Sequence, residues 1–285
     1  MSQTVVVRTI EEMWRLSREA RRRGDVVGLV PTMGALHAGH RALIDRAQAE
    51  CAFTTVTLFV NPTQFNQAED LAKYPRTFEQ DLAMCEEAGV DCLFAPAPEE
   101  MYPQPGVTHV EVSELTDGLC GKFRPGHFRG VTTVVAKLFH IAEPDKAYFG
   151  EKDFQQLAVI RRMVRDLDFA VEIVGVPIVR EFDGLALSSR NARLSGAQRE
   201  AATVLSRSLR HAAEAVANGE QDAESIRELT LEVIADEPLA RPEYVEIVDP
   251  ETLRPVARVE KEARLVLAAW VGEVRLIDNA SLRPA

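Results

Sequence analysis

Two histidines three residues apart, in His37-Ala38-Gly39-His40, are the first residues of the chain placed for chemistry. Before them runs an apolar stretch, Val26 to Val30, of the kind a buried parallel strand needs. Pro31 and Gly34 are expected to break that strand. After Gly39, Leu43, Ile44 and Ala47 recur at helical spacing, with Arg41, Asp45 and Arg46 on the opposite face. The histidines should therefore stand at a strand-to-helix junction, on one side of the first helical turn. A helix N-terminus presents backbone N–H groups and the positive end of its dipole, which suits a polyphosphate. Two imidazoles there can donate hydrogen bonds to phosphoryl oxygens as charge builds on them. Zinc ligation is the competing chemistry, but no third ligand stands nearby at metal-site spacing. Ordinary surface histidines are the plainer alternative.

Position favours the phosphate reading. Strand, small-residue turn and a helix opening on His-x-Gly-His resemble the signature with which the nucleotidylyltransferase and class I aminoacyl-tRNA synthetase superfamily binds ATP. Further candidates lie at the ends of other expected strands. After Phe53 to Val60 comes Asn61-Pro62-Thr63-Gln64-Phe65-Asn66, which reads either as a plain polar connection or as a turn in which Asn61 and Gln64 offer amides to a small polar substrate. After Lys146 to Phe149 comes Gly150-Glu151-Lys152-Asp153-Phe154-Gln155-Gln156. Asp153 and Gln156 there have a structural reading as a helix-capping pair, whereas Lys152 reads as a phosphate clamp. Leu187-Ser188-Ser189-Arg190-Asn191 adds hydroxyl and guanidinium donors in a loop. Between Cys120 and His140 the chain carries Lys122, Arg124, Arg129 and Lys137 and no acid. Its Phe123-to-Gly130 segment reads either as a shaped loop binding phosphate or carboxylate, or as a solvated face.

These residues need a scaffold that brings strand ends together. Ile10 to Arg23 reads as a helix with Met13, Leu16 and Ala20 on one face, stopped by Gly24. The strand–helix–strand run from Val26 to Val60 is a right-handed βαβ unit by base rate. Thr77 and Gln80 read as a capping box for a helix running to Gly89, followed by a strand, Asp91 to Ala95. Pro96, Pro98, Pro103 and Pro105 imply an irregular segment. A helix over Val131 to Ile141 and a strand over Val171 to Pro177 continue the alternation. After Asn191 the character changes to two charged helices, about 196–218 and 221–235, then short strands near 244–248, 265–270 and 274–277. The fold class is α/β, a Rossmann-like doubly wound parallel sheet over 1–177, with a second, smaller α+β C-terminal lid domain over 178–285.

Composition narrows the partners. The 285 residues carry a net charge of −11, which speaks against nucleic acid as the main partner. Hydrophobic content of 46% and charged content of 27% are those of a globular protein, and no apolar run has membrane-spanning length. Ser2 to Thr9 lacks a signal-peptide core, so a cytoplasmic protein without a membrane partner is expected. The four cysteines form no C-x-x-C pair and are expected as free thiols.

Six blocks in order carry a specific resemblance. They are Pro31-Thr32-Met33-Gly34 with His37-Ala38-Gly39-His40, Phe59 to Phe65, Tyr74-Pro75-Arg76-Thr77, Arg124 to Gly130, Gly150 to Gln156, and Leu187 to Asn191. In order and spacing they resemble the pantoate–β-alanine ligase (pantothenate synthetase) family, and Leu276-Ile277-Asp278-Asn279 resembles its C-terminal end. The resemblance implies ATP-dependent condensation of pantoate with β-alanine, through a pantoyl adenylate, with release of pyrophosphate and AMP. It implies ATP contacts from Met33, Gly34, Ala35, Leu36, His37, Ala38, Gly39 and His40, and from Gly150, Glu151, Lys152 and Asp153. Val179, Leu187, Ser188, Ser189 and Arg190 would complete that site. His40 would be the proton donor, with His37 and Lys152 as its catalytic companions. Gln64 and Gln156 would bind pantoate, and Gln64 also β-alanine. Magnesium is implied on the ATP phosphates without a protein cage, and a homodimer is the implied assembly. A plain adenylyltransferase would share His-x-Gly-His and the serine loop, but would need cations rather than two glutamines at its acceptor.

Overall fold

Runs of valine, threonine and phenylalanine build six short strands: β1 (Val5–Val7), β2 (Val27–Thr32), β3 (Phe53–Leu58), β4 (Cys92–Phe94), β5 (Lys146–Gly150) and β6 (Glu172–Val176). All pair in parallel, in the order β1-β4-β3-β2-β5-β6, as found in a computed structural model that describes residues 3–104 and 106–284. Pro105 of the proline-rich segment lies outside the described residues. Because β2 is flanked by β3 and β5, the chain reverses its direction of travel across the sheet there. Ligands of open α/β sheets bind outside the carboxyl ends of strands at such a reversal.

Helices α1 (Ile10–Arg23), α2 (Ala38–Glu50), α3 (Ala68–Lys73), α4 (Phe78–Ala88), α5 (Pro98–Met101), α6 (Leu119–Phe123), α7 (His127–Ala142) and α8 (Phe154–Asp166) connect the strands. On one face of the sheet Leu43, Ile44 and Ala47 of α2 and Cys85 of α4 pack with Val30, Val56, Leu93, Tyr148 and Val174. Helices α1 and α7 pack against each other and on β2. This is the doubly wound arrangement. Its main departures from the sequence reading are local. Pro31 does not end β2: the strand continues to Thr32, pairing there with β3 alone, since its ladder to β5 spans Gly28 and Leu29. Proline is tolerated where one side of a strand has no ladder to feed. The three-residue β1 is too short to show a period. Helix α7 begins at His127, not Val131, so the second half of the expected 123–130 loop is helical.

The chain divides into two compact units. One contains residues through Asp117 with Gly121–Glu151 and Val159–Pro177; the other contains Ile178–Ala285 with Gly118–Cys120 and Lys152–Ala158. In the second unit, α9 (Gly196–Ala201), α10 (Thr203–Ala217) and α11 (Ala223–Ala235) precede an antiparallel sheet of β7 (Ala240–Val248), β8 (Ala263–Val271) and β9 (Val274–Leu282). Its core joins Leu205, Leu209, Ile226 and Ile234 to the inward side chains Val245, Leu265, Leu267 and Leu276. The single helix expected over 196–218 is broken at Ala202.

Candidate active site

At the carboxyl end of β2 the chain turns through Gly34 (φ 83°) and Ala35 (φ 51°), two successive left-handed residues. Glycine takes the first at no steric cost; a Cβ there would also sit 3.0 Å from Asp81 Oδ2. Asp81, only 3% exposed on α4, holds the turn. Its carboxylate accepts the N–H groups of Ala35 (3.0 Å) and Leu36 (2.8 Å) and the Thr77 hydroxyl (3.2 Å). This overturns the expected Thr77–Gln80 capping box, because the Thr77 hydroxyl goes to Asp81 and no side-chain cap forms. Asp81 itself was missed. Its signal was an aspartate in line with Cys85 on the apolar side of a helix.

His37 is the N-cap of α2 and His40 its third residue. His37 Nδ1 accepts the Gly39 N–H at 3.1 Å, and His40 Nδ1 accepts the His37 N–H at 3.3 Å. The ring centroids are 4.2 Å apart. With Nδ1 of each ring accepting, the proton of the neutral imidazole belongs on Nε2. The helix start thus differs from the expected array of backbone donors: His37 gives its N–H to His40 and Gly39 its own to His37, while Ala35 and Leu36, before the helix, give theirs to Asp81. The physical cause is that helix-terminal and turn amides seek internal acceptors. What this turn has to offer a phosphate is chiefly imidazole N–H.

The loop after β3 is a one-turn 3₁₀ helix, Pro62–Gln64, capped by Asn61. The expectation that Asn61 faces a substrate fails, because it is 1% exposed and committed to protein. Its Nδ2 donates to Gln64 Oε1 (3.0 Å) and Gly130 O (3.1 Å). Its Oδ1 accepts from the Thr63 hydroxyl and the Tyr102 phenol, both at 3.0 Å. Burial pushes the Tyr102 phenol above its ordinary value, keeping it a donor. Gln64 is therefore oriented, its Oε1 on Asn61 and its Nε2 3.4 Å from Met33 Sδ. Its backbone carbonyl lies 2.9 Å from His127 Nδ1 and accepts from Arg124 Nη2 at 3.4 Å. Of the basic window, Arg124 reaches the Gln64 carbonyl and Lys137 lies over the Tyr102 ring. Gly130 lets α7 abut this turn; a Cβ there would lie 2.6 Å from Thr63 O.

Met33 to His40, Gln64, Gly150 and Glu151 belong to the first unit, whereas Lys152, Asp153, Gln156, Val179, Leu187, Ser188, Ser189 and Arg190 belong to the second. Lys152 sits in a 3₁₀ turn, Glu151–Asp153, with Nζ 3.8 Å from Asp153 Oδ2. Beside Gln156, Gln155 accepts the Cys120 N–H (2.9 Å) and donates to Gly118 O (3.0 Å). Val179 and Leu187 close a small hairpin through a 3.0 Å backbone bond, Leu187 N–H to Val179 O. Ser188 then caps the 3₁₀ segment Ser189–Arg193 by accepting the Arg190 N–H at 3.2 Å. Among the described residues, no three His, Cys, Asp or Glu side chains converge as a metal site.

Comparison with known proteins fits this geometry. The profile of the pantoate-beta-alanine ligase family matches residues 5–281. Pantothenate synthetase of Heliobacterium modesticaldum is 54% identical over 274 residues, 96% of this chain and 98% of that protein. The crystal structure of pantothenate synthetase from Thermus thermophilus superposes with a TM-score of 0.93 at 49% identity, covering 98% and 99% of the two chains. The pantoate-beta-alanine ligase of Francisella tularensis, in complex with beta-gamma ATP and beta-alanine, gives a TM-score of 0.81 at 33% identity over 97% of each chain. The chain belongs to the pantoate–β-alanine ligase family.

Proposed function

We propose that this protein binds ATP and joins pantoate to β-alanine in two steps. A pantoate carboxylate oxygen attacks the α-phosphorus of ATP, and the bond to pyrophosphate breaks, leaving pantoyl adenylate. The β-alanine amine then attacks the acyl carbon, the bond to AMP breaks, and the nitrogen loses a proton. The observation that carries this reading is the reciprocal capping of His37 and His40, which fixes both rings at the mouth of β2 with Nε2 protonated. Such donors stabilise the charge that develops on the phosphates during displacement.

Met33, Gly34, Ala35, Leu36, Ala38 and Gly39 line the nucleotide, together with Gly150, Glu151, Asp153, Val179 and Leu187. His37, His40, Lys152, Ser188, Ser189 and Arg190 meet its phosphates, and His40 donates a proton to an oxygen of the departing pyrophosphate. Gln64 and Gln156 hold pantoate, with Gln64 also near β-alanine. Magnesium enters with the nucleotide as part of the substrate, keeping most of its water shell. A cytoplasmic homodimer, with 178–285 serving as a lid that excludes water, belongs to the same proposal.

The test is ATP–pyrophosphate exchange. Exchange that appears with pantoate and vanishes without it is the expected result. Exchange independent of pantoate would refute the ligase reading, as would none in its presence.

A further inference from the structure

The second unit contains a polar pair the chemistry above does not use: Asp278 and Asn279, adjacent on β9 and each 2% exposed. Successive residues of a strand point to opposite faces. Asp278 lies on the side of Leu276 and Leu282, in line with the helix-packed core, and Asn279 on the other. A carboxylate there is a poor way to gain stability, since a buried ion pair barely offsets the desolvation of its charges. Its contacts point to another task.

Asp278 takes Arg180 in a two-pronged pair, 2.7 Å from Nη1 and 2.9 Å from Nη2. Arg180 Nη1 also donates to Gly184 O at 2.9 Å, across the turn of its own hairpin. That hairpin is closed by Glu181 N–H to Leu185 O and by Leu187 N–H to Val179 O, and it runs directly into Ser188, Ser189 and Arg190. Asn191 Nδ2 ties the far end back to Ala186 O at 3.1 Å. On the opposite face, Asn279 Nδ2 donates to Lys152 O at 2.9 Å. Asn279 Oδ1 accepts from Arg264 Nε at 2.7 Å, and the Arg264 guanidinium lies over the Phe154 ring, 4.4 Å from its centroid. One side chain therefore holds the backbone of Lys152, both directly and through the residue two positions on.

We propose that Asp278 and Asn279 are positioning residues for ATP: Asn279 aims Lys152, and Asp278, through Arg180, aims the Ser188–Arg190 loop. Two neighbours on one strand thereby set the register of two phosphate-binding segments that are far apart in sequence. The proposal rests on the assignment of Lys152 and Arg190 to the phosphates.

The test is a pair of double-mutant cycles read by ATP–pyrophosphate exchange, with KM for ATP and for pantoate measured separately. Asn279→Asp keeps an acceptor for Arg264 and removes the donor to Lys152 O; Asp278→Asn keeps the shape and removes the charge facing Arg180. Each single variant should raise KM for ATP about tenfold, the scale of one lost buried hydrogen bond, and leave KM for pantoate within about twofold. In a Lys152→Ala background Asn279→Asp should add less than about twofold, and in an Arg190→Ala background Asp278→Asn likewise, because each acts through the residue already lost. Lowered melting temperature with unchanged KM for ATP would overturn the proposal, as would effects that multiply in full. Should Lys152→Ala and Arg190→Ala leave exchange and KM for ATP at wild-type values, the phosphate assignment itself falls, and the proposal with it.

Discussion

Removing the Asp81 carboxylate tests whether the His-x-Gly-His turn is held from behind. Asp81→Ala leaves the N–H groups of Ala35 and Leu36, at 3.0 and 2.8 Å from the lost oxygens, without that acceptor at a half-buried turn. Each unsatisfied donor costs roughly 1–3 kcal/mol when fully buried, so with two half-buried ones the variant should lose about 2–4 kcal/mol of stability. Asp81→Asn retains one acceptor and turns an NH₂ toward the other amide, for a loss of about 1.5–3 kcal/mol. Leu36 directly precedes His37, so the same change lets the imidazole pair drift. A displacement of about 1 Å can cost on the order of a hundredfold in rate. Urea unfolding followed by circular dichroism gives the stability, and pantoate-dependent exchange gives the activity. Asp81→Ala with stability within about 0.5 kcal/mol of wild type and an unchanged exchange rate would refute this account of the turn.

Three further outcomes are expected. His40→Ala should lower turnover by about two to four orders of magnitude with the fold kept, the usual scale for losing a transition-state donor, and circular dichroism beside saturating kinetics checks it. Gly130→Ala would place a Cβ 2.6 Å from Thr63 O, so it should cost roughly 1–3 kcal/mol and raise KM for pantoate with little effect on KM for ATP; thermal melts and substrate titrations read both. Hydrogen bonds from Arg46, Lys146 and Tyr148, the first the largest cause, hold the Glu50 carboxyl down to about 2 from 4.5. A folded-state value below the unfolded one makes the stabilisation complete above about pH 4.5 and lost as pH falls toward about 2. Urea midpoints of Glu50→Gln should accordingly fall less steeply than wild type over that window, and coincident slopes would remove Glu50 from acid lability.

Much of this was legible because it is local. Helix α1 carries its own periodicity and stop, and α2 begins where a polar turn meets Leu43, Ile44 and Ala47. The placement of His37 and His40 followed from that junction alone. Asn61 was misjudged for the opposite reason: nothing near it in sequence discloses Gly130, 69 residues on, or Tyr102, 41 residues on, which claim its amide. The misread of 123–130 has a related cause. Proline and glycine at 125 and 126 signal a loop, and the turn of α7 that follows is fixed by packing against the Gln64 turn, which periodicity cannot show.

The residues that touch a substrate and those that aim them are under different physical demands. The first must end in reach of ligand and so occur at strand ends and in short motifs. The second must be buried, because a hydrogen bond fixes geometry best where water cannot replace it. Asp81, 45 and 46 residues from the amides it holds, and Asn279, 127 residues from Lys152, meet that second demand. Each is a buried polar side chain, which on composition alone reads as a defect in the packing. A reaction whose protein part is mostly placement needs such groups, since stiffness at the turn converts directly into rate. A buried polar side chain bonded to the backbone of a distant motif is therefore the kind of group that local sequence patterns do not disclose.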